Sequence, residues 1–585
     1  MPATTMLLEN HLERKAREVI AHALGLEEPV EPLLRPTTDP KFGDYQLNAA
    51  MALAKILRRS PREIAATISE AITAVPEIAS AEVAGPGFVN LRLDERWLGE
   101  VLSKDLGDPR LGVPTVEKSE TIAVDFSGPN IAKQMHVGHL RSTILGDAIV
   151  RLLRFVGHRV IGDNHLGDWG TQFGLLIVGM RRWGSEEALA ERPIVELERV
   201  YKLASAKAKE DESFADDARA ELVKLQAGDP ENTALWQTFV AHTREKLEEV
   251  YALLGVRFDE WLGESAYHPM LAGVVDELLE KGIAREDQGS ICVWFREHDS
   301  APEELRVSES PLIVRKQDGA FLYSTTDIAT ILFRRDEWAA DRAIYVVDAR
   351  QGTHFSQVFA VARLLGVTME LEHVGFGMVL GDDGKALKTR DGVPVTLVSL
   401  LDEAIGRARQ RIDEEREKGA LRVAAEDIDE VARVLGVGSV KYADLHQNRM
   451  SNYQFDFDRM ISFKGNAMPY LNYAYARIRS IFDKGGLDYA KSAGSIRLEE
   501  PEEKALGRRL ARFGDIVVRA ATTSQPHLLC EHLYELAREF STFLNQCRVL
   551  DGGAARESRL ALAGLTGRQL ERGLELLGIS VVERM

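Results

Sequence analysis

The chain has 585 residues, of which 45% are hydrophobic and 28% charged. That length exceeds what one hydrophobic core organises and predicts three or four domains, with the composition of an ordinary soluble protein rather than a fibrous or disordered one. A formal charge of −18 excludes binding of nucleic acid by global charge, though not by local basic strips.

Residues 1–115 read as a small α/β module. Leu7 to Leu24, Asn48 to Leu57 and Pro61 to Ile72 are predicted helices, the third opened by the N-cap and first-turn pair Ser60-Pro61. Ala81 to Ala84 and Phe88 to Leu93 are predicted strands around the turn Gly85-Pro86-Gly87. Asp108 to Pro114 reads as a linker. The apolar run Thr121 to Phe126 then reads as a buried strand. Leu140, Ile144, Ala148, Leu152 and Val156 recur every four residues, which predicts an amphipathic helix that Gly157 ends.

Between that strand and that helix stands Ser127-Gly128-Pro129-Asn130-Ile131-Ala132-Lys133-Gln134-Met135-His136-Val137-Gly138-His139. The N-terminus of a helix offers unpaired N–H groups and positive potential to an anion. Two histidines and a lysine converge there, and Gly138 lets a ligand approach the backbone. A triphosphate substituted at its α-phosphorus fits such a place, although either histidine could instead simply cap the helix. A strand is predicted over Arg159 to Gly162, followed by the Gly-rich loop Asp163 to Gly174 around Trp169.

Residues 185–255 read as a charged helical insertion. Strand signals return at Ser290 to Phe295, Pro311 to Val314, Phe321 to Tyr323 and Ala343 to Val347, and Ile328 to Arg335 reads as a helix that Thr326 or Asp327 could cap. Gly381-Asp382-Asp383-Gly384-Lys385-Ala386-Leu387-Lys388-Thr389 is a Gly-rich loop with two lysines, a common surface turn by itself but suited to pyrophosphate. From Leu400 the chain reads almost wholly as helix, with Asp483 to Glu500 as a flexible connection. No apolar run approaches the roughly 20 residues of a membrane helix, and the N-terminus does not read as a secretion signal. Cys292, Cys530 and Cys547 are widely separated and show no metal-ligand spacing, so no metal site is expected and the expected compartment is the cytoplasm.

His136-Val137-Gly138-His139 resembles the HIGH signature of class I aminoacyl-tRNA synthetases, and Lys385 to Thr389 resembles a diverged KMSKS loop. The match narrows to the arginyl-tRNA synthetases. Their signatures are resembled by Pro129 to Lys133, by His139 to Thr143, by Gly167 to Gly174, by Phe42 to Gln46, by Gly85 to Leu91, by Pro469 to Ile478 and by the terminal Glu583-Arg584-Met585. The resemblance implies an α/β fold: a Rossmann-like parallel sheet with helical insertions over 116–400, a tRNA-binding module over 1–115, a helical connection over 401–460 and an all-α anticodon-binding bundle over 461–585.

It implies a ligase that activates L-arginine with ATP and Mg2+ and transfers it to the terminal adenosine of its tRNA, with no tightly bound metal held by the protein. A monomer is the family's default state, and the family usually needs bound tRNA for efficient activation. The residues carried over as catalytic are Lys133, His136, His139, Lys385 and Lys388. Arginine is assigned to Asn130, Tyr323, Asp327 and Gln351, since a guanidinium seeks a carboxylate that accepts two parallel N–H bonds. ATP is assigned to His136, Gly138, His139, His354 and Lys388, and tRNA to Phe88, Asn90, Tyr470, Arg477 and Met585. Two departures stand out. Gly128 replaces a serine common in the family, so that Gly128→Ser is expected to be tolerated, and the lysine loop is far from KMSKS.

Overall fold

A computed structural model describes residues 7–37, 39–381, 383–385, 387 and 395–585. The chain divides into two compact units. The first combines residues 1–116, 409–442 and 460–585; the second combines 117–408 and 443–459.

In the first unit, an antiparallel sheet of β1 (Leu34–Pro36), β2 (Tyr45–Leu47), β3 (Ile78–Ala84) and β4 (Phe88–Leu93) has the order β1-β2-β4-β3. Helix Leu8–Leu24 buries Leu8, Leu12, Ala16 and Ile20, spaced by four so that one stripe meets the core. Helix Pro61–Ile72 starts with a capping box in which Ser60 and Glu63 satisfy each other's backbone N–H groups. The long helices Met468–Gly485, His527–Gln546 and Arg556–Leu576 build the C-terminal bundle. Asp483 to Glu500 was expected to be a flexible connection, and the structure corrects that: the helix runs on to Gly485. Ile496 and Leu498 are buried, the Ile496 N–H donates to Ser103 Oγ and the Arg497 N–H to Ser558 Oγ, which packs the segment in place.

The second unit carries β5 (Thr121–Asp125), β6 (Arg159–Asp163), β7 (Arg285–Asp287), β8 (Ser290–Val293), β9 (Leu312–Arg315), β10 (Arg342–Tyr345), β11 (Glu370–His373), β12 (Val379–Leu380) and β13 (Tyr453–Gln454). Its main sheet is parallel with order β11-β10-β5-β6. Helix Val137–Phe155 connects β5 to β6, and helix Gly352–Leu364 connects β10 to β11. Ile122, Ala123, Val124, Ala343 and Ile344 are buried, as parallel strands covered on both faces require. Four helices between Glu186 and Leu254 form the insertion. The expected strand at Phe321–Tyr323 is absent: Phe321 makes one bridge to Arg315, and Tyr323 starts helix Tyr323–Asp336. Ser324 Oγ and Thr325 Oγ1 donate to the carbonyls of Ile313 and Val314, anchoring that helix start on β9. No helix among the described residues is long and apolar enough to cross a membrane.

Candidate active site

From β5 the chain moves to β6 on one side, and from β10 to β11 on the other. The carboxyl ends of β5 and β10 therefore flank the point where the winding reverses, which is where open α/β sheets bind ligands. A cleft of about 390 Å³ lies there. Its lining includes Asn130, Gly138, His139, Tyr323, Asp327, Gln351 and His354, drawn from across more than 220 residues of sequence. Gly138 and His139 come from the start of the helix after β5, Gln351 and His354 from the turn and helix after β10, and Tyr323 and Asp327 from the start of the helix after β9.

The histidines stand at the N-terminus of helix Val137–Phe155, with ring centroids 4.1 Å apart. His136 Nδ1 accepts the Gly138 N–H at 3.0 Å, and His139 Nδ1 accepts the His136 N–H at 3.2 Å. Both Nδ1 atoms are thus occupied as acceptors, which leaves each neutral ring's proton on Nε2 as a donor. Burial, then the Lys133 charge, holds His136 below the usual histidine range. Burial, then His136 and Lys133, brings His139 down to about 4. Neutral Nε2–H donors are what a developing phosphate oxyanion needs. The capping alternative is also realised, since the Nδ1 bonds tie up N–H groups of the first turn. A Cβ at position 138 would lie 2.7 Å from His136 Cε1, so this arrangement requires glycine there.

Elsewhere in the cleft, Tyr323 and Asp327 share one face of their helix at i, i+4 spacing. Asp327 Oδ2 is 2.6 Å from His354 Nε2, and the Tyr323 ring meets the His354 ring edge-on at 4.8 Å. Glu264 lines the same cleft. Burial raises its carboxyl to about 7, with Asp168 and Asp327 adding to the rise and His165 opposing it. Glu264 is set by its own N–H, which donates to the Leu166 carbonyl, and by Ser265, whose N–H and Oγ both donate to Asp168. Below the cleft, Arg334 Nη2 reaches Asp125 and Asp163, each at 2.7 Å. Asp125, Asp163 and His165 have metal-ligand spacing among the described residues, but the fully buried Arg334 already spans the two carboxylates, so the trio does not suit a cation.

Three family descriptions match the chain: "tRNA synthetases class I (R), catalytic domain" over residues 101–457, "DALR anticodon binding domain" over 471–585, and "Arginyl tRNA synthetase N terminal domain" over 8–93. An arginine–tRNA ligase of Hahella chejuensis is 43% identical, covering 99% of this chain and 100% of its own. One of Pseudomonas aeruginosa is 46% identical over 94% of each chain. The crystal structure of arginyl-tRNA synthetase from Plasmodium falciparum superposes with a TM-score of 0.84 at 28% identity, covering 100% of both chains. The chain belongs to the arginyl-tRNA synthetase family.

Within this synthetase, the segment His139 to Thr143 has visible work beyond its histidine. Ser142 Oγ accepts the Ser127 N–H and donates to the Val346 carbonyl, while Thr143 Oγ1 meets Ser127 Oγ at 2.8 Å. Ser127 Oγ also meets Tyr251 OH of the insertion at 2.7 Å. These bonds hold the chain after β5 in left-handed conformations, φ +73 at Ser127 and +53 at Gly128. That corrects the expectation for Gly128→Ser. A Cβ there would stand 3.2 Å from the His165 carbonyl oxygen on a backbone that disfavours L side chains. Asn130 is bridged to Gly167, and its Oδ1 would lie 2.3 Å from a Cβ at that glycine, so the side chain rests against bare backbone.

The remaining predicted residues are less concentrated. Lys133 lies outside that cleft, with its ammonium 5.7 Å from the Tyr201 ring centroid. Lys385 sits on an exposed turn where the Gly381 N–H donates to the Lys385 carbonyl, and Lys388 and Thr389 fall outside the described residues. His354, expected near adenosine, pairs with Asp327. In the first unit, Phe88 and Asn90 lie on β4, and Asn90 Oδ1 accepts from Gln46 Nε2 at 2.8 Å. Tyr470 and Arg477 lie on helix Met468–Gly485; Tyr470 OH is 3.4 Å from Ser541 Oγ, and Met585 sulfur accepts from Asn472 Nδ2. Glu264 escaped the sequence reading. The one signal was an acid in Trp261-Leu262-Gly263-Glu264-Ser265, with nothing local to link it to Asp327.

Proposed function

We infer that the chain activates L-arginine with ATP and transfers it to the 3′-terminal adenosine of its tRNA. In the first step, the arginine carboxylate attacks the α-phosphorus of Mg-ATP; the P–O bond to pyrophosphate breaks, giving arginyl-adenylate and pyrophosphate. In the second, the terminal 2′-hydroxyl of the tRNA attacks the mixed anhydride, expelling AMP and losing its proton. The protein supplies position and charge rather than a nucleophile.

His136 and His139 donate Nε2–H bonds to the phosphate oxygens, and Lys385 and Lys388 meet the departing pyrophosphate. Asp327 and Glu264 receive the guanidinium, with Tyr323 beside it, while Asn130 and Gln351 hold the remainder of the amino acid. Mg2+ enters with ATP as part of that substrate. Phe88 and Asn90 contact the tRNA body, and Tyr470, Arg477 and Met585 its anticodon side. The observation that carries the reading is one cleft holding an Nε2–H donor, on His139, together with two carboxylates for a guanidinium. Arginine-dependent ATP–pyrophosphate exchange, run with and without tRNA against the other amino acids, tests it. Exchange with another amino acid and none with arginine would overturn it.

A further inference from the structure

The two phosphate elements, the histidine helix and the lysine turn, are about 250 residues apart in sequence. One buried side chain bonds the histidine helix to the strand from which the lysine turn rises. Arg141 lies two residues beyond His139 on helix Val137–Phe155 and is 1% exposed. Its Nη1 donates to the carbonyls of Gly377 and Ser451, both at 2.9 Å. Its Nε donates to Asp444 Oδ1 at 3.1 Å, and Asp444 is itself fully buried, with Tyr453 OH on its other oxygen at 3.3 Å. The guanidinium lies over the rings of Tyr453 and Phe376, 5.2 and 5.9 Å from their centroids.

Gly377 and Ser451 lead into β12 and β13, which pair in parallel, Val379 with Tyr453 and Leu380 with Gln454. The lysine turn rises directly from β12: the Leu387 N–H returns to the Val379 carbonyl, and Gly381 closes on Lys385. Where the chain returns, a short antiparallel ladder fastens it to the histidine element. The Val137 N–H donates to the Val395 carbonyl, the Leu397 N–H to the Met135 carbonyl, and His136 bridges Thr396. The exit is thus bonded by backbone directly to the histidine element; the entry is held by backbone to Ala349 and Arg449, and Arg141 is what bonds it to the histidine helix.

We propose that Arg141 is a positioning residue that fixes the register between the histidine helix and the lysine turn, so that both meet the same triphosphate. This rests on the function inferred above. A planar fork spanning two carbonyls and a carboxylate has no equivalent in an ammonium. Register errors of about 1 Å at reacting groups cost on the order of 100-fold in rate. None of the bonds from Arg141 goes to Glu264, Tyr323 or Asp327; it meets the lining of that cleft at the Phe376 ring.

The test is Arg141→Lys in the full chain, with exchange kinetics for ATP and separate equilibrium binding of arginine. Exchange turnover should fall by roughly 10- to 100-fold with a raised KM for ATP, and arginine should bind within about twofold of wild type. A folded variant whose ATP parameters are unchanged, or whose arginine and ATP constants weaken by the same factor, overturns the proposal. If Arg141→Lys does not fold, Arg141→Met/Asp444→Leu removes both buried charges. It should restore the thermal midpoint without restoring turnover, and recovery of both would overturn the proposal. Absence of arginine-dependent exchange in the wild type would instead strike at the inferred function, which keeps the two failures apart.

Discussion

Glu264 makes arginine binding depend on pH in a direction that can be worked out. Its carboxyl ionises at about 7, because burial, helped by the nearby acids Asp168 and Asp327, outweighs the opposing effect of His165. A guanidinium needs the carboxylate, so arginine binds the ionised form and releases a proton from the protonated one. With that value, about a tenth of the sites are ionised at about pH 6 and about nine-tenths at about pH 8. If only the ionised form is competent, the apparent arginine constant should tighten by roughly tenfold across that range, or about 1.4 kcal/mol. Calorimetry in buffers of different ionisation enthalpy should register the released proton. His165, and His354 on Asp327, face the same pocket. Glu264→Gln separates the contributions: it should bind more weakly and lose most of the pH dependence. An equally steep profile in Glu264→Gln, or a flat one in the wild type, refutes the assignment.

His139→Ala should lower pyrophosphate exchange by roughly two to three powers of ten and leave arginine binding nearly unchanged, as measured by equilibrium dialysis. Asp327→Asn should weaken arginine by about 2–5 kcal/mol while sparing ATP, and equal losses in the two constants would indicate a structural role instead. Gly128→Ser should destabilise the chain by about 1–2 kcal/mol in urea unfolding, given its left-handed backbone and the crowding by the His165 carbonyl. Phe88→Ala and Asn90→Ala should raise the apparent tRNA constant without changing its salt dependence, since neither side chain is charged, and without changing the constants for ATP or arginine.

Much of the architecture was legible because its signals are local. The four-residue spacing of Leu140, Ile144, Ala148 and Leu152 dictates a helix, and the apolar run at Thr121 to Phe126 a covered strand; both are present. Ser60-Pro61 starts its helix with the expected cap. The losses came where distant chain decides local form. Phe321 to Tyr323 reads as β by residue type, yet Ser324 and Thr325 find acceptors on β9 and begin the helix at Tyr323. The Gly- and Ser-bearing stretch after Asp483 looks flexible until Ser103 and Ser558 take up its N–H groups.

The candidate site divides in the same way. His136, Gly138 and His139 carry much of their geometry with them, because a helix N-terminus and two Nδ1 acceptor bonds to neighbouring N–H groups orient the rings locally. Glu264 and Arg141 carry none. An acid beside a serine and an arginine on a helix are ordinary surface features until the fold buries them. What then distinguishes them is desolvation: Glu264 becomes a carboxyl that titrates near 7, and Arg141 a cation that must find three acceptors away from water. Neither burial nor acceptor geometry has a sequence signature, so residues that tune and align a site stay hidden while those that lie on its turns can be read directly.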